Sequence, residues 1–318
     1  MGLEMDHIIE KNNTISRWGK YPHERSVEEA LKRSLIIIDK PSGPTSHQVS
    51  SWIQDMFDMK AGHSGTLDPN VTGVLPMGLG YSVRVIDLLH NVPKEYIAAM
   101  HFHWDVDFER VNEILKEFQG DIYQTPPLKS GVKRERRIRK IFEIEVLDSS
   151  DRDYLFFVKC ESGTYIRTLC KDIGKAIGTG GHMMDLRRTK SGGFSEEESY
   201  ILQDVKDALI SYRSGDGSML KEMLLPYERA LEVYPKIVVK DTAAGSLLNG
   251  ADLAVPGILK MEDFKDAEIV SLVSTKGEGI AIGESVYRAE KIMDMDKGLV
   301  VKTTRVFHPV GEYPQKWK

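Results

Sequence analysis

Near Pro235 the sequence changes texture, and that change constrains the fold more than any other feature. Before it, strand-like and helix-like segments alternate. After it, short β-rich segments dominate (Ile237 to Val239, Ala267 to Ser274, Gly279 to Ser285 and Gly298 to Phe307), separated by turns containing Gly and Asp. A chain of 318 residues is too long for one ordinary domain. Two domains are therefore expected, the second a small mixed β domain, barrel-like, over about the last 84 residues.

Several classes of protein are excluded by composition. Hydrophobic residues make up 41% of the chain and charged residues 29%, ordinary values for a globular protein. No apolar run approaches the roughly 18 residues that span a bilayer; the longest, such as Leu35 to Ile38, are strand-sized. The N-terminus lacks a basic region followed by an apolar core, and Asp6 stands where a myristoylation motif needs Ser or Thr. Two cysteines ten residues apart, Cys160 and Cys170, match neither a disulfide framework nor a metal knuckle, so both are expected in the core of a protein from a reducing cytoplasm. No membrane association is expected.

Leu35 to Asp39 reads as a buried strand that Lys40-Pro41-Ser42-Gly43-Pro44 stops. Thr45 and Gln48 then fit a capping box, ahead of an apolar face of Val49, Trp52, Ile53, Met56 and Phe57. Ala61 to Gly73 has no periodicity and reads as a glycine-rich loop. Glu95 to His103 is expected to be a strand, Asp107 to Phe118 a helix, and Ile141 to Leu147 with Tyr154 to Cys160 a hairpin. Thr164 is placed to cap a helix that buries Ile166, Leu169, Cys170, Ile173 and Ile177.

Chemistry concentrates in few places. In Gly65-Thr-Leu-Asp-Pro69, Asp68 either caps a helix starting at Pro69 or is a carboxylate presented in a cleft as nucleophile or base. Tyr96 is either a core strand residue or a base-stacking ring. Tyr165 and Arg167 are either a solvated helix end or an aromatic wall with a cation for a carboxylate. Leu186-Arg-Arg-Thr-Lys190 reads more readily as a solvated face than as a phosphate clamp. Between Lys129 and Lys140 stand seven cations (Lys129, Lys133, Arg134, Arg136, Arg137, Arg139, Lys140) against Glu135, in a chain of net charge −5. Charge that concentrated suits phosphate or an acidic partner. Dinucleotide, NTP, serine-hydrolase and zinc-deaminase motifs are absent, and the nine histidines show no ligand spacing, so no metal is expected.

Five ordered motifs resemble the TruB-type pseudouridine synthases: His63-Ser-Gly-Thr-Leu-Asp-Pro69, Lys94-Glu-Tyr96, Thr125-Pro-Pro-Leu-Lys-Ser-Gly-Val-Lys133, Gly163-Thr-Tyr-Ile-Arg-Thr-Leu169 and Leu186-Arg-Arg-Thr189. The resemblance is strongest to the dyskerin-like catalytic subunit of archaeal box H/ACA ribonucleoproteins. Asn249-Gly-Ala-Asp-Leu-Ala-Val-Pro-Gly257 and the strands after it resemble a PUA domain. The implied fold is α+β: a mixed-sheet catalytic domain over 35–234, a barrel-like PUA domain over 235–318, and an N-terminal extension, 1–34, packing on the latter.

The implied activity is isomerisation of uridine to pseudouridine in RNA, with no cofactor. By motif position, Asp68 resembles the catalytic aspartate, whether it attacks ribose or base. Tyr96 resembles the residue that stacks on the flipped uracil, Tyr165 a second pocket tyrosine and Arg167 the partner of the aspartate. Leu186 resembles an apolar pocket contact, and His63 a residue filling the space the nucleotide vacates. The basic stretch, with Lys133, Arg134, Arg136, Arg137 and Arg139, resembles a thumb loop that closes over substrate. Implied partners are tRNA, rRNA with a box H/ACA guide RNA, and small accessory proteins of that particle. Two rivals stand beside guide-dependent activity: a stand-alone tRNA synthase acting on uridine 55 of the TΨC arm, and a catalytically silent RNA scaffold.

Overall fold

End signals and hydrophobic alternation place the elements of the computed structural model, which describes residues 7–8, 16–126, 133, 135–307 and 311–314. The first half of the chain forms β1 (His7–Ile8), α1 (Val27–Leu31), β2 (Ser34–Lys40), α2 (Ser46–Phe57), β3 (Ala61–His63), β4 (Thr72–Leu79), β5 (Lys94–Phe102), α3 (Phe108–Glu117), β6 (Gly120–Gln124), β7 (Arg137–Ser150) and β8 (Asp153–Cys160). Then follow α4 (Ile166–Ile177), β9 (Gly181–Ser191), β10 (Phe194–Ser195), α5 (Leu202–Arg213), α6 (Ser218–Met223), β11 (Leu225–Pro226), β12 (Lys236–Val239), α7 (Asp241–Leu248), β13 (Leu253–Ala254), β14 (Ile258–Met261), β15 (Ile269–Val273), β16 (Gly279–Ser285), α8 (Ala289–Met293) and β17 (Leu299–Val306).

Two compact units result. One comprises Ile36–Met77 and Ile86–Met219; the other gathers the chain up to Leu35, Gly78–Val85 and the chain from Leu220 onward.

In the first unit the sheet runs β2-β4-β9-β5-β8-β7-β6, with β3 on β4 and β10 on β9. Strand β5 sits inside it and alternates fully, turning Lys94, Tyr96, Ala98, Met100 and Phe102 inward. Helices α3 and α4 cover that side, burying Val111, Ile114 and Leu115 from one and Ile166, Leu169, Cys170 and Ile173 from the other in a single apolar cluster with Tyr96, Leu67 and Leu186. Both cysteines are buried and free. The Thr45–Gln48 capping box of α2 forms as the sequence suggests. Its apolar stripe is narrower than expected, however: Val49, Ile53 and Phe57 are buried while Trp52 is exposed.

Three local expectations are corrected. The aperiodic stretch Ala61 to Gly73 is strand at both ends, in β3 and the first residues of β4. Tyr165, not Thr164, caps α4; the Thr164 hydroxyl instead donates to the Glu161 carbonyl at 2.7 Å. The basic stretch is not all loop, because Arg137–Lys140 open β7 and pair with β6, Gln124 opposite Arg137 and Tyr123 opposite Ile138.

The second unit has a mixed sheet in the order β1-β14-β12-β15-β16-β17-β13. His7 and Ile8 pair with Met261 and Lys260, and the buried Arg25 makes a bidentate ion pair with Glu228 at 2.6 and 2.9 Å. Tyr227 is also buried here and donates to the Gly279 carbonyl at 2.5 Å. The packing boundary therefore precedes the texture change by about 15 residues. Helices α7 and α8 lie in the segment that the sequence suggested was β-rich.

Candidate active site

The loop between β3 and β4 is held by hydrogen bonds to its backbone. The Ser46 hydroxyl donates to the Leu67 carbonyl at 3.1 Å and accepts from the Leu67 amide at 2.8 Å. Lys40, wholly buried at the end of β2, donates to the carbonyls of Pro41, Pro69 and Val71 at 2.8 to 2.9 Å. Burial lowers the Lys40 pKa, and the Asp68 carboxylate opposes that shift. No helix starts at Pro69. Pro69 and Asn70 form a turn in which the Val71 amide donates to the Asp68 carbonyl at 3.1 Å, so the capping reading of Asp68 falls.

The Asp68 carboxylate instead meets Arg167, with Nη2 to Oδ2 at 2.5 Å and both side chains a little over half exposed, 56% and 55%. These residues are 99 apart in sequence. Arg167 reaches the loop from the first turn of α4, whose entry is fixed by Gln124. The buried Gln124 side chain donates to the Tyr165 carbonyl at 3.1 Å and accepts from its amide at 2.9 Å. Tyr165, Gln124, Pro126, Gly163, Arg137 and Arg139 line a cavity of about 90 Å³. A half-exposed pair of this kind adds little to stability. Its value lies in holding one carboxylate oriented and reachable.

Tyr96 and Leu186 belong to the apolar cluster that also holds Leu67 and Ile166, chain neighbours of Asp68 and Arg167. Opposite Tyr96 on β9 stands Arg188, which the sequence placed in a solvated run. It is only 1% exposed. Arg187 is also committed, to Asp39 at 2.9 Å and Glu196 at 2.7 Å. Lys94, read only as part of a motif, is buried too, and donates to the carbonyls of His90 and Val92 and to the Ser162 hydroxyl at 3.0 to 3.1 Å. Burial, followed by the Arg188 charge, brings its pKa down to about 8. Strand period was the overlooked signal: Lys94 is in phase with inward Tyr96, and Arg188 with inward Leu186.

His63 lies between α2 and the loop, its Nδ1 2.8 Å from the Ser50 hydroxyl and its Nε2 3.3 Å from the Thr66 hydroxyl. Burial, then the charges of His47, Arg188 and His90, lowers its pKa to about 4. An unfolded histidine titrates near ~6.5. Folded His63 therefore resists a proton that the unfolded chain accepts, and stability falls as pH drops from about 6.5 toward 4. Melting temperatures measured between pH 7 and 5 should fall less for His63→Gln than for the unsubstituted protein; parallel curves would contradict a half-buried neutral imidazole.

Among the described residues, no hydrogen bond or ion pair joins this basic stretch to Asp68, and Lys129 lies outside them. Lys133 pairs with Glu135, Arg136 stacks on the Tyr123 ring at 4.2 Å, and Arg139 reaches Glu161 at 3.4 Å. Arg134 lies outside the described residues. Among the described residues no group of three or more His, Cys, Asp or Glu side chains is arranged to hold a metal, and no helix is long and apolar enough to cross a membrane.

Comparison with known proteins decides what such a site belongs to. Residues 54–166 match the TruB family pseudouridylate synthase N-terminal domain, and 167–232 the tRNA pseudouridylate synthase B C-terminal domain. The chain belongs to the TruB family. It is an RNA pseudouridine synthase, an isomerase. Residues 235–307 match the PUA domain and 4–50 the DKCLD (NUC011) domain. Among relatives, the probable tRNA pseudouridine synthase B of Methanocaldococcus jannaschii is 45% identical over 99% of this chain and 95% of its own length. That of Methanothermobacter thermautotrophicus is 44% identical over 98% and 97%. Among solved structures, a chain of a Cbf5-Nop10-Gar1 complex superposes with a TM-score of 0.92 at 42% identity, covering 96% of this chain and 95% of that one. A chain of an H/ACA RNP bound to a substrate RNA containing 2′-deoxyuridine gives 0.92 at 40% identity, covering 98% and 96%.

Proposed function

We propose that this TruB-family member isomerises uridine at Asp68, on rRNA paired to a box H/ACA guide, on uridine 55 of tRNA, or on both. The observation that carries the assignment is the Asp68–Arg167 pair at 2.5 Å, an oriented yet accessible carboxylate on a loop pinned by buried groups. The reaction breaks the N-glycosidic bond, turns the uracil and rejoins it through carbon 5, releasing the carbon 5 proton. In this reading Asp68 is the nucleophile and Arg167 orients it. The target base must leave its stack, at a cost of a few kcal/mol that stacking in a closed pocket offsets. Tyr96 takes the stacking role, Tyr165 walls the pocket, Leu186 supplies an apolar contact, and His63 fills the space the base vacates. A catalytically silent scaffold has no need of this set of side chains together.

RNA is the proposed partner of both ends of the molecule. Residues 235–318, with the Asn249 to Gly257 segment, would hold an RNA end, the extension 1–34 would support them, and 35–234 would carry the chemistry. Small accessory proteins of the H/ACA particle complete the assembly, since chains of such particles superpose on this one. A cytoplasmic location accords with both substrates.

Lys133, Arg134, Arg136, Arg137 and Arg139 serve as phosphate contacts on the approaching strand. Changing the four arginines together to Gln should weaken substrate association and flatten its dependence on salt, by about 0.7 in the log–log slope for each single-strand phosphate that is no longer neutralised. Fluorescence titration across a salt series reads the slope; an unchanged slope would assign the stretch to a protein partner. The function itself is tested by mapping pseudouridines in a tRNA transcript and in an rRNA fragment with and without its guide, using purified protein. Modification only when the guide is present supports the particle reading, modification of tRNA alone supports the stand-alone one, and none on either supports the scaffold.

A further inference from the structure

We infer that Arg188 is a positioning residue that links Tyr96 to the Asp68 loop, so that one buried guanidinium sets the stacking ring and the nucleophile in register. The inference rests on the roles proposed above for Asp68 and Tyr96.

Three strands meet at Arg188. On β9 it lies opposite Tyr96 of β5 and opposite Gly73 of β4. Its Nε donates to the Val74 carbonyl at 2.8 Å, and its Nη2 to the Gly65 carbonyl at 2.9 Å. Gly65 is three residues before Asp68, so the guanidinium grips the same loop that Lys40 and Ser46 hold from the other end. Across the strand pair the guanidinium also interacts electrostatically with the Tyr96 side chain that it faces. The planar fork of arginine suits two backbone acceptors in fixed directions, and a lysine ammonium does not reproduce it.

Glycines make the approach possible. A Cβ on Gly65, whose φ is +72°, would lie 3.2 Å from Nη1 of Arg188 and 3.2 Å from Lys94 Cε. On Gly73, at φ +104°, it would lie 2.2 Å from the Arg188 carbonyl oxygen. The two glycines that bracket the Asp68 loop thus both leave room for Arg188, and Gly65 also for Lys94.

Its electrostatic setting is also unusual. Among the described residues Arg188 makes no ion pair, and burial lowers its pKa, with Tyr96 opposing. Keeping a charge in a dry interior without a counter-ion is unfavourable. Three strands supplying structure alone could have used an apolar residue here at no such cost. The two groups the guanidinium adjoins, the Tyr96 side chain across the strand pair and the Asp68 loop, are those whose mutual placement the proposed reaction requires, and a misplacement of about 1 Å can cost ~100-fold in rate.

The test uses the full chain and an RNA substrate carrying uridine tritiated at carbon 5, with single-turnover rate, RNA affinity and melting temperature measured for each variant. Arg188→Lys should slow the single-turnover step by about 30-fold or more, within the range expected of a misplaced site, while RNA affinity stays within about three-fold. Tyr96→Phe, which keeps the ring, should slow the same step at least ~10-fold through loss of the hydroxyl. The double variant should be little slower than Arg188→Lys alone, because both substitutions break one link. A purely structural arginine would lower the melting temperature and leave the rate of folded protein unchanged, which overturns the inference. Independent, multiplicative effects in the double variant overturn it as well. If Arg188→Lys does not fold, Tyr96→Phe decides alone, and a wild-type rate in that variant overturns the link. Asp68→Asn is run beside them: turnover by that variant overturns the reading of the site, whereas an inert Asp68→Asn beside a wild-type Arg188→Lys overturns only the role of Arg188.

Discussion

Asp68→Asn should reduce isomerisation below about 1% of wild type while leaving RNA affinity within a few-fold, because a nucleophile contributes to the transition state far more than to ground-state binding. The substitution is close to isosteric, and Asn can still accept from the Arg167 guanidinium through its amide oxygen. Melting temperature should therefore stay near that of the wild type, as expected where the pair is half exposed. Tritium released from carbon 5 of labelled uridine measures turnover, and a gel-shift titration measures affinity. Residual turnover above that level would mean that some other group attacks, since no other carboxylate of the loop between β3 and β4 exists to substitute for it.

Arg167→Met should slow the reaction at neutral pH by about 100-fold or more without unfolding the protein. The argument is geometric. Asp68 sits on a loop whose backbone is pinned by Lys40, Ser46 and Arg188, yet its carboxylate is directed by Arg167. Removing the guanidinium leaves the backbone in place and the carboxylate free to rotate, and small losses of alignment have large kinetic effects. Arg167→Lys should be milder, since it keeps the charge but not the planar donor pair. Single-turnover rates at saturating RNA distinguish the cases. A full rate in the Met variant would leave Arg167 as a solvated first-turn residue of α4.

Much of the first unit was legible because its signals are local. The capping box at Thr45, the alternation of β5 and the amphipathic stripe of α4 each specify an element without reference to the rest of the chain. Asp68 was legible as a carboxylate among glycines, although its role came from the resemblance of five motifs and not from spacing. Less legible was whatever depends on partners distant in sequence. Arg187 and Arg188 are adjacent and chemically alike, yet one is part-exposed and ion-paired with Asp39 and Glu196 and the other is buried, because β9 presents alternate faces. Lys40 and Lys94 are buried cations whose partners are backbone carbonyls, and no side-chain pattern announces those. The unit boundary at Leu220 was hidden for the same reason, since residues 220–234 resemble the preceding helical sequence in texture while Tyr227 and Glu228 pack on Gly279 and Arg25. Short helices such as α7 escaped notice because eight residues carry too little periodicity to stand out among strands.

One measurement tests the central claim most directly: the stoichiometry between tritium released and pseudouridine formed when purified protein acts on RNA labelled at carbon 5 of uridine. Isomerisation replaces the carbon–nitrogen glycosidic bond with a carbon–carbon bond at the labelled atom, so the account expects one tritium released for each pseudouridine mapped, with no change in the mass of the unlabelled RNA. Tritium release without pseudouridine, or neither product under conditions in which the protein binds the RNA, would contradict it.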